Sequence, residues 1–587
     1  MNNAVHKVHF FTKVRKRCFS FLIIFSTWLV VGTIIFVFYC STDLPNLHDL
    51  MRNDTKTDIK LLYSNDNLLK NYSSTTNEIN NYAELPFDLL NALIATEDRK
   101  FFKHSGFDYL GILRAAFVNL KSGSIRQGGS TITQQVAKTL LRNSKKTFKR
   151  KVQELLLSIQ LEKKMSKEEI LLLYLNKSYF GAGKYGILNA SKFYFNKNVS
   201  DLNLEESAML VGLLKAPSRY TPQNNPELSI QRTKQVIVNM KNAGLLDDTN
   251  FNGTTLIENT TYNINSNLNQ EIYFADYIKG QLQDYTSKQD IIVKTTLNDS
   301  IQNAIENTIK HIEPKHQIAV VVLNRKGAIL GMTGGIDYNS SEFNRAIYGS
   351  RQAGSAFKLF VYLAGLEKGL EIDNEFVDEP IAVGTWFPEN YNEKYYGKIS
   401  MLDAFAKSSN SVAVQISEIA KPNNVAKMAK KMGISSPIDK DDPTIALGTT
   451  QVNLLELTSS YAVVINDGKA VIPFGIREIR DYSDDIIYEK IDSNFKVILN
   501  DKLVSDAKKL LKEVVTNGTG KRAYLDNLSI GGKTGTTQNY ADAWFVGYVG
   551  DIVIGVWVGN DDNSSMKNVG GSGLPIDIWK GIVERLK

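Results

Sequence analysis

The chain has 587 residues, more than one hydrophobic core serves, so two or more domains are expected. Its 43% hydrophobic and 22% charged content is that of ordinary folded protein and excludes disordered and fibrous classes. A formal charge of +7 suits a membrane surface or an anionic lipid substrate; with no zinc spacing, RNA-recognition signature or basic helix, no nucleic acid is expected as a partner.

Residues 1–18 read as a cytoplasmic tail, with Lys13, Arg15, Lys16 and Arg17 just before an apolar run. That run, residues 19–40, is broken only by Ser, Thr and Gly and has the ~20 residues a helix needs to cross a bilayer. The flanking cations keep the N-terminus in the cytoplasm. Phe36-Val-Phe-Tyr39 is too bulky for a signal-peptidase site or for a lipoprotein site ahead of Cys40, so the run is expected to remain as an anchor. Everything after it then lies outside the inner membrane, in the periplasmic position. Cys18 and Cys40, the only cysteines, offer no disulfide framework or metal site. Residues 41–80 are polar and rich in Asn and Thr and are expected to form a stalk, although Ile59-Lys-Leu-Leu-Tyr63 is strand-like.

From Pro86 the pattern turns helical and leads into Thr96-Glu-Asp-Arg-Lys-Phe-Phe-Lys-His-Ser-Gly106. A carboxylate ending a buried helix beside a second acid is a candidate general base. Asp98 reads equally well as an ion-pair partner of Arg99 or Lys103, and His104 as a structural hydrogen-bonder. In Arg126-Gln-Gly-Gly-Ser-Thr-Ile-Thr-Gln-Gln135, two glycines (Gly128 and Gly129) precede the hydroxyls and amides of Ser130, Thr131, Gln134 and Gln135 at a helix start. Such a set suits a phosphate or sugar, or is simply an N-cap. Phe148-Lys-Arg-Lys-Val-Gln-Glu154 gathers Arg150 and Lys151 about one acid, Glu154, as a solvated face or a pyrophosphate clamp. Ile170-Leu-Leu-Leu-Tyr-Leu-Asn176 and Glu205-Glu-Ser-Ala-Met-Leu-Val-Gly-Leu-Leu-Lys-Ala-Pro217 follow.

Together these ordered blocks, over residues 85–242, resemble the peptidoglycan glycosyltransferase domain of class A penicillin-binding proteins. The resemblance implies a mostly α, lysozyme-like domain at 81–243, partly seated in the membrane. It implies that Glu97 deprotonates the acceptor sugar hydroxyl of lipid II. Glu154, with Arg150 and Lys151, would assist departure of the lipid pyrophosphate, and the resemblance admits Mg²⁺ near Glu154. Asp98, His104, Gly128, Ser130, Thr131, Gln134, Gln135 and Asn176 would complete the substrate site. The product would be a β-1,4 glycan formed with inversion. Leu172 departs from the pattern, standing where a glutamate is usual. Glu169, one turn earlier, is the residue expected to take its place, and Ser158 for alanine is a minor change.

Residues 244–290, rich in Asn, Asp and Thr, read as a linker with one short element at Glu271-Ile-Tyr-Phe-Ala-Asp-Tyr-Ile-Lys279. The second domain, 291–587, opens with a strand and a capped helix. Residues 318–323 and 328–332 flank Asn324-Arg-Lys-Gly327 as a β-hairpin. Ser355-Ala-Phe-Lys358 sets a hydroxyl and an ammonium on one face, able to touch at their tips, so that Lys358 can act as base for Ser355. Ser408-Ser-Asn410 and Lys533-Thr-Gly535 follow in order, the signature set of penicillin-recognising serine acyltransferases. Ser408 can relay a proton to the leaving amine, Asn410 can bind the substrate backbone, and Lys533 adds positive potential. Thr534 and Thr536 offer hydroxyls beside Gly535 to a carboxylate, and the N–H groups of Ser355 and Thr536 form an oxyanion hole. Lys533 is expected on an inner strand facing the serine helix.

This half resembles the transpeptidase domain of the same family, which implies an α/β fold with an antiparallel sheet and helices on both faces. Ala353 and Leu359 replace usual prolines. The whole reads as a bifunctional cell-wall synthase acting on lipid II and nascent peptidoglycan beside other wall-synthesis proteins. Cofactors are not required for acyl transfer. The alternatives are a transpeptidase or carboxypeptidase whose glycosyltransferase half is a silent scaffold.

Overall fold

The computed structural model describes residues 27–28, 31–33, 35–44, 47, 58–73, 78–109, 111, 114, 129–141, 147–222, 225–246, 270–286, 290–312, 315–491, 495–567 and 569–586. Gly128, residues 19–26 of the expected anchor and residues 247–269 of the expected linker lie outside them. Among the described residues no helix is long and apolar enough to cross a membrane. The chain forms two compact units, Met1–Thr55 with Thr76–Asn263, and Lys56–Thr75 with Ile264–Lys587.

The first unit is helical. Its helices are α1 (Phe87–Glu97), α2 (Ile132–Leu140), α3 (Phe148–Lys164), α4 (Lys167–Lys177), α5 (Ile187–Phe195), α6 (Leu204–Leu213) and α7 (Pro226–Asn242). Local chemistry sets their starts: Thr131 with Gln134, Ser166 with Glu169 and Asn203 with Glu206 each close a capping box at the head of α2, α4 and α6. Helix α6 is buried from Glu206 to Leu213 and packs on α1 and α7, so it is the central rod of the unit. Helix α2 packs against α3 and α4, which brings the second, third and fourth motif blocks together. Gly106 shows why the first block ends in glycine. Its φ is +101°, and a Cβ there would stand 2.9 Å from the Ser158 carbonyl oxygen of α3.

The second unit holds two five-stranded sheets. Its elements are β1 (Asp58–Leu62), β2 (Leu68–Ser73), α8 (Glu271–Gln281), β3 (Ile291–Thr295), α9 (Asp299–Ile312), β4 (Gln317–Asn324), β5 (Ile329–Thr333), α10 (Lys358–Glu367), β6 (Glu375–Asp378), β7 (Gly397–Ser400), α11 (Met401–Lys407), α12 (Asn410–Ala420), α13 (Pro422–Lys431), α14 (Leu454–Ile465), β8 (Ile476–Asp481), β9 (Ile486–Glu489), α15 (Asp501–Thr516), β10 (Ile530–Thr536), β11 (Asp542–Val549), β12 (Ile552–Gly559) and α16 (Leu574–Arg585). The main sheet runs β10-β11-β12-β4-β5, antiparallel throughout, and the smaller runs β9-β8-β3-β1-β2. Helices α9 and α16 cover one face of the main sheet, and α14 packs on the other. The residues of β11 and β12 are apolar nearly without a break because both of their faces are covered.

Two expectations change. The stalk is in part a folded hairpin: β1 pairs with β2 and, in parallel, with β3, so residues 58–73 belong to the second unit. The short element expected in the linker at residues 271–279 is present as α8, which packs on β5 and β2. The strand holding Lys533, β10, is an edge strand and not an inner one; among the described residues it pairs with β11 alone. The hairpin expected at residues 318–332 is present as β4 and β5.

Candidate active sites

In the first unit, Glu97 is the last residue of α1 and is half-buried. Its Oε2 accepts from Gln135 Nε2 at 2.9 Å, and Gln135 Oε1 accepts from Tyr174 Oη at 3.0 Å. Burial, then the Glu97 charge, raises the Tyr174 hydroxyl pKa, so it stays a protonated donor. Asp98 Oδ2 accepts from His104 Nε2 at 2.9 Å and from the Ile132 N–H at the head of α2 at 3.1 Å. The Gly106 N–H donates to His104 Nδ1 at 3.2 Å, which leaves the ring proton on Nε2, facing Asp98. Thr131 Oγ1 donates to the Gly106 carbonyl at 2.7 Å.

Glu154, 1% exposed, receives Lys151 Nζ at 2.8 Å, and Arg150 Nε stands 3.0 Å from its other oxygen. Lys151 Nζ also donates to Ser130 Oγ at 3.1 Å. One carboxylate held between two cations is the wrong donor set for a divalent ion, so these residues do not fit Mg²⁺. They do form a cationic face about half exposed at Lys151, able to meet a polyanion.

Several residues expected to touch substrate also make hydrogen bonds within the scaffold. Asn176 clamps the backbone of Ile79, accepting from its N–H at 3.1 Å and donating to its carbonyl at 2.9 Å. Gln134 and Thr131 are occupied in the α2 capping box, and Asp98 and His104 in bracing α2 and the residue 101–106 turn. Glu169, the residue expected to replace the missing glutamate, is placed in the cap of α4. It is exposed, and its carboxylate accepts the Ser166 N–H at 2.6 Å as part of the α4 cap. Leu172 packs its side chain against the core of the unit.

In the second unit, Ser355 lies in a 3₁₀ turn, Gly354–Phe357, and Lys358 opens α10. Residues three apart eclipse on a 3₁₀ turn, which aligns the two side chains. Gly354 has φ +51°, and a Cβ there would stand 2.7 Å from the Thr536 carbonyl oxygen and 3.2 Å from its nitrogen. Only glycine lets the serine turn come this close to β10. Trp544 Nε1 holds the Gln352 carbonyl at 2.9 Å, and Tyr461 Oη holds that of Ala356 at 2.6 Å, so the turn is fixed from both sides.

Lys358 Nζ does not hydrogen-bond Ser355 Oγ. It donates to the Ser408 carbonyl at 2.7 Å, the Ser409 carbonyl at 3.2 Å and Asn410 Oδ1 at 2.6 Å, with Ser408 Oγ at 3.5 Å. Lys533 Nζ donates to Ser408 Oγ at 2.9 Å. Ser408 has φ +61°, a strained value for a non-glycine residue, and it turns its hydroxyl between the two ammonium groups. Both lysines are fully buried. Burial, then the charge of Lys533, pushes the Lys358 pKa well below the lysine range, against an opposing pull from Asp378. Burial brings Lys533 down to about 7.

Thr534 Oγ1 meets Thr519 Oγ1 at 2.7 Å, and Thr536 Oγ1 accepts from the Gly571 N–H at 2.9 Å. A Cβ at Gly535 would stand 2.6 Å from the Ala353 carbonyl oxygen, so this position too is glycine for close approach. Asn410 Nδ2 donates to the Glu389 carbonyl at 2.6 Å.

Three residues near these sites carried no functional signal in the sequence. Tyr174 lies in the apolar helix Ile170-Leu-Leu-Leu-Tyr-Leu-Asn176, where an aromatic residue signals only a core position. Asp378 and Asn390 lie in Asp378-Glu-Pro380 and Pro388-Glu-Asn390, where an acid or amide near proline signals only a turn.

Comparison with known proteins bears on both units. The Transglycosylase family model matches residues 65–241, and the Penicillin binding protein transpeptidase domain model matches residues 317–572. Penicillin-binding protein 1A of Aquifex aeolicus is 32% identical over 84% of this chain and 81% of its own. That of Neisseria meningitidis serogroup A is 29% identical over 97% and 87%, and penicillin-binding protein 4 of Bacillus subtilis 30% identical over 86% and 87%. The crystal structure of penicillin-binding protein 1A from Haemophilus influenzae shares the fold, with a TM-score of 0.52 at 19% identity over 90% of this chain and 92% of that one. The chain belongs to the class A penicillin-binding proteins, bifunctional cell-wall synthases that join a peptidoglycan glycosyltransferase to a D-Ala-D-Ala transpeptidase.

Proposed function

We propose that Ser355 is the acyl-transfer nucleophile, with Lys358 as its base and Ser408 as the proton relay. The observation that carries this reading is the Ser408 hydroxyl, 2.9 Å from Lys533 Nζ and 3.5 Å from Lys358 Nζ. Lys358 takes the Ser355 proton, and Oγ attacks the carbonyl carbon of the penultimate D-Ala. The resulting oxyanion is met by the Ser355 and Thr536 N–H groups, donors of a kind worth about 10²–10³ in rate each. The C–N bond then breaks, and the proton reaches the departing D-Ala amine through Ser408. An acceptor amine from a second stem peptide attacks the acyl-enzyme and restores Ser355. The free edge of β10 supports binding of the donor peptide as an added strand.

In the glycosyltransferase, Glu97 takes the proton of the acceptor 4-hydroxyl as that oxygen displaces pyrophosphate from the donor sugar. The Gln135 N–H holds the Glu97 carboxylate in place. Lys151 and Arg150, steadied by Glu154, receive the charge of the leaving pyrophosphate. The apolar run at 19–40 and its basic flank support a single-pass anchor that keeps both domains at the membrane face where lipid II is presented, beside other wall-synthesis proteins. Labelling with fluorescent penicillin tests the first half: Ser355→Ala abolishes it while glycan polymerisation continues. Labelling that survives in that variant contradicts the nucleophile assignment.

A further inference from the structure

We propose that Asp378 and Asn390 are positioning residues of the acyl-transfer site, a buried pair that holds the Ser408–Asn410 turn in register with Lys358. The proposal rests on the assignment of Ser355 and Lys358 made above.

Asp378 ends β6 and is 1% exposed. Its Oδ1 accepts from Ser409 Oγ at 2.8 Å and from Asn390 Nδ2 at 2.8 Å, and its Oδ2 from the Tyr396 N–H at 3.2 Å. Asn390 Oδ1 in turn accepts the Asn410 N–H at 2.7 Å and the Ser411 N–H at 3.1 Å, the first two of α12. Ser409 Oγ completes the cap by accepting from the Val412 N–H at 3.0 Å. Ser409 and Asn410, the second and third residues of the Ser-Ser-Asn block, are thus held from behind by this pair. Glu389 supplies its carbonyl to the Asn410 side chain, and Asn410 Oδ1 is one of the acceptors of Lys358.

A loop anchor alone needs no charge in so dry a place. A buried carboxylate costs several kcal/mol unless compensated. Among the described residues Asp378 makes no ion pair with lysine or arginine; its hydrogen-bond donors are all neutral. Among the described residues, the charges that act on Lys358 are those of Lys533 on β10 and Asp378 on β6. The carboxylate therefore offsets the repulsion between two buried ammonium groups at the point where Ser408 must sit between them. It also stabilises the strained φ of Ser408 by fixing the next residue, Ser409.

The test is the rate of fluorescent-penicillin acylation by the full-length detergent-solubilised protein, followed from about pH 5.5 to 9, in Asp378→Asn, Asn390→Asp and the exchanged pair Asp378→Asn/Asn390→Asp. Asp378→Asn removes a negative charge and is expected to slow acylation at least about tenfold and to move the acid limb of the profile to lower pH. Asn390→Asp adds one and moves the limb to higher pH. The exchanged pair keeps one carboxylate and one amide in contact and returns the rate to within about threefold of the wild type. Opposite movements of the limb do not arise from a structural role alone. Acylation by Asp378→Asn within about twofold of the wild type, or limbs that move the same way in both single variants, overturns the proposal. If Asp378→Asn gives no cooperative melt, the exchanged pair decides: folded and fast supports it, folded and more than about tenfold slow overturns it. Labelling that persists with Ser355→Ala in the wild-type background overturns the nucleophile assignment instead.

Discussion

Lys533 Nζ donates to Ser408 Oγ at 2.9 Å, joining the edge strand β10 to the turn between α11 and α12 through one hydroxyl. Two buried ammonium groups thus share one serine, and they cannot both stay protonated without cost. The pair is expected to release one proton near pH 7, so penicillin acylation of Ser355 rises with pH through that range. A rate that is flat from pH 6 to about 8.5 contradicts this.

The same shift bears on stability. Lys533 has a folded pKa of about 7 against 10.5 for an unperturbed lysine, so between those values the unfolded chain binds more protons. Stability gained from this group therefore rises with pH across that window, and the full cost of burying the charge falls below pH 7. Lys533→Met is expected to raise Tm relative to the wild type at pH 6, with the gap shrinking toward pH 10, and to cut acylation at least about tenfold. Melting curves at three pH values check the sign.

Gly354→Ala forces a Cβ to within 2.7 Å of the Thr536 carbonyl at a φ of +51°. The left-handed conformation alone costs about 1–2 kcal/mol, and relief of the clash moves the turn off β10. Acylation is expected to fall by at least about tenfold with the fold retained, because the two oxyanion donors separate. Near-normal labelling in a folded variant contradicts that geometry.

Tyr174 fixes which end of the Gln135 amide faces Glu97. Tyr174→Phe removes one neutral hydrogen bond, and polymerisation of lipid II is expected to drop about two- to tenfold. Penicillin labelling, which depends on the other unit, stays unchanged and serves as the internal control.

Glu169→Gln keeps the α4 capping box, since glutamine also accepts the Ser166 N–H. Normal polymerisation is expected. A loss above about tenfold, with Tm unchanged, assigns Glu169 a chemical role that its exposed position does not support.

The catalytic blocks were legible because each needs a fixed spacing: Ser355 and Lys358 one turn apart, Glu97 at the end of an apolar helix, Arg150 and Lys151 within a turn of Glu154. The glycines were legible as motif letters, but their reason was not. Gly106 and Gly354 matter for backbones more than 50 and 180 residues away, Ser158 and Thr536, which spacing along the chain does not reveal. The hairpin at residues 58–73 read as stalk because its partner strand, β3, lies more than 200 residues on. Parallel pairing at that separation leaves no local sign. Asp378 stayed hidden for the same reason: a single buried acid beside a proline reads as a turn until the fold sets it behind Ser409.

The most direct test of the bifunctional account is polymerisation of labelled lipid II by the full-length detergent-solubilised protein, run beside Glu97→Gln. Glycan polymer from the wild type and none from the variant is the predicted result, with fluorescent penicillin labelling both equally. No polymer from either, while penicillin still acylates Ser355, contradicts an active glycosyltransferase and leaves the transpeptidase as the only working half.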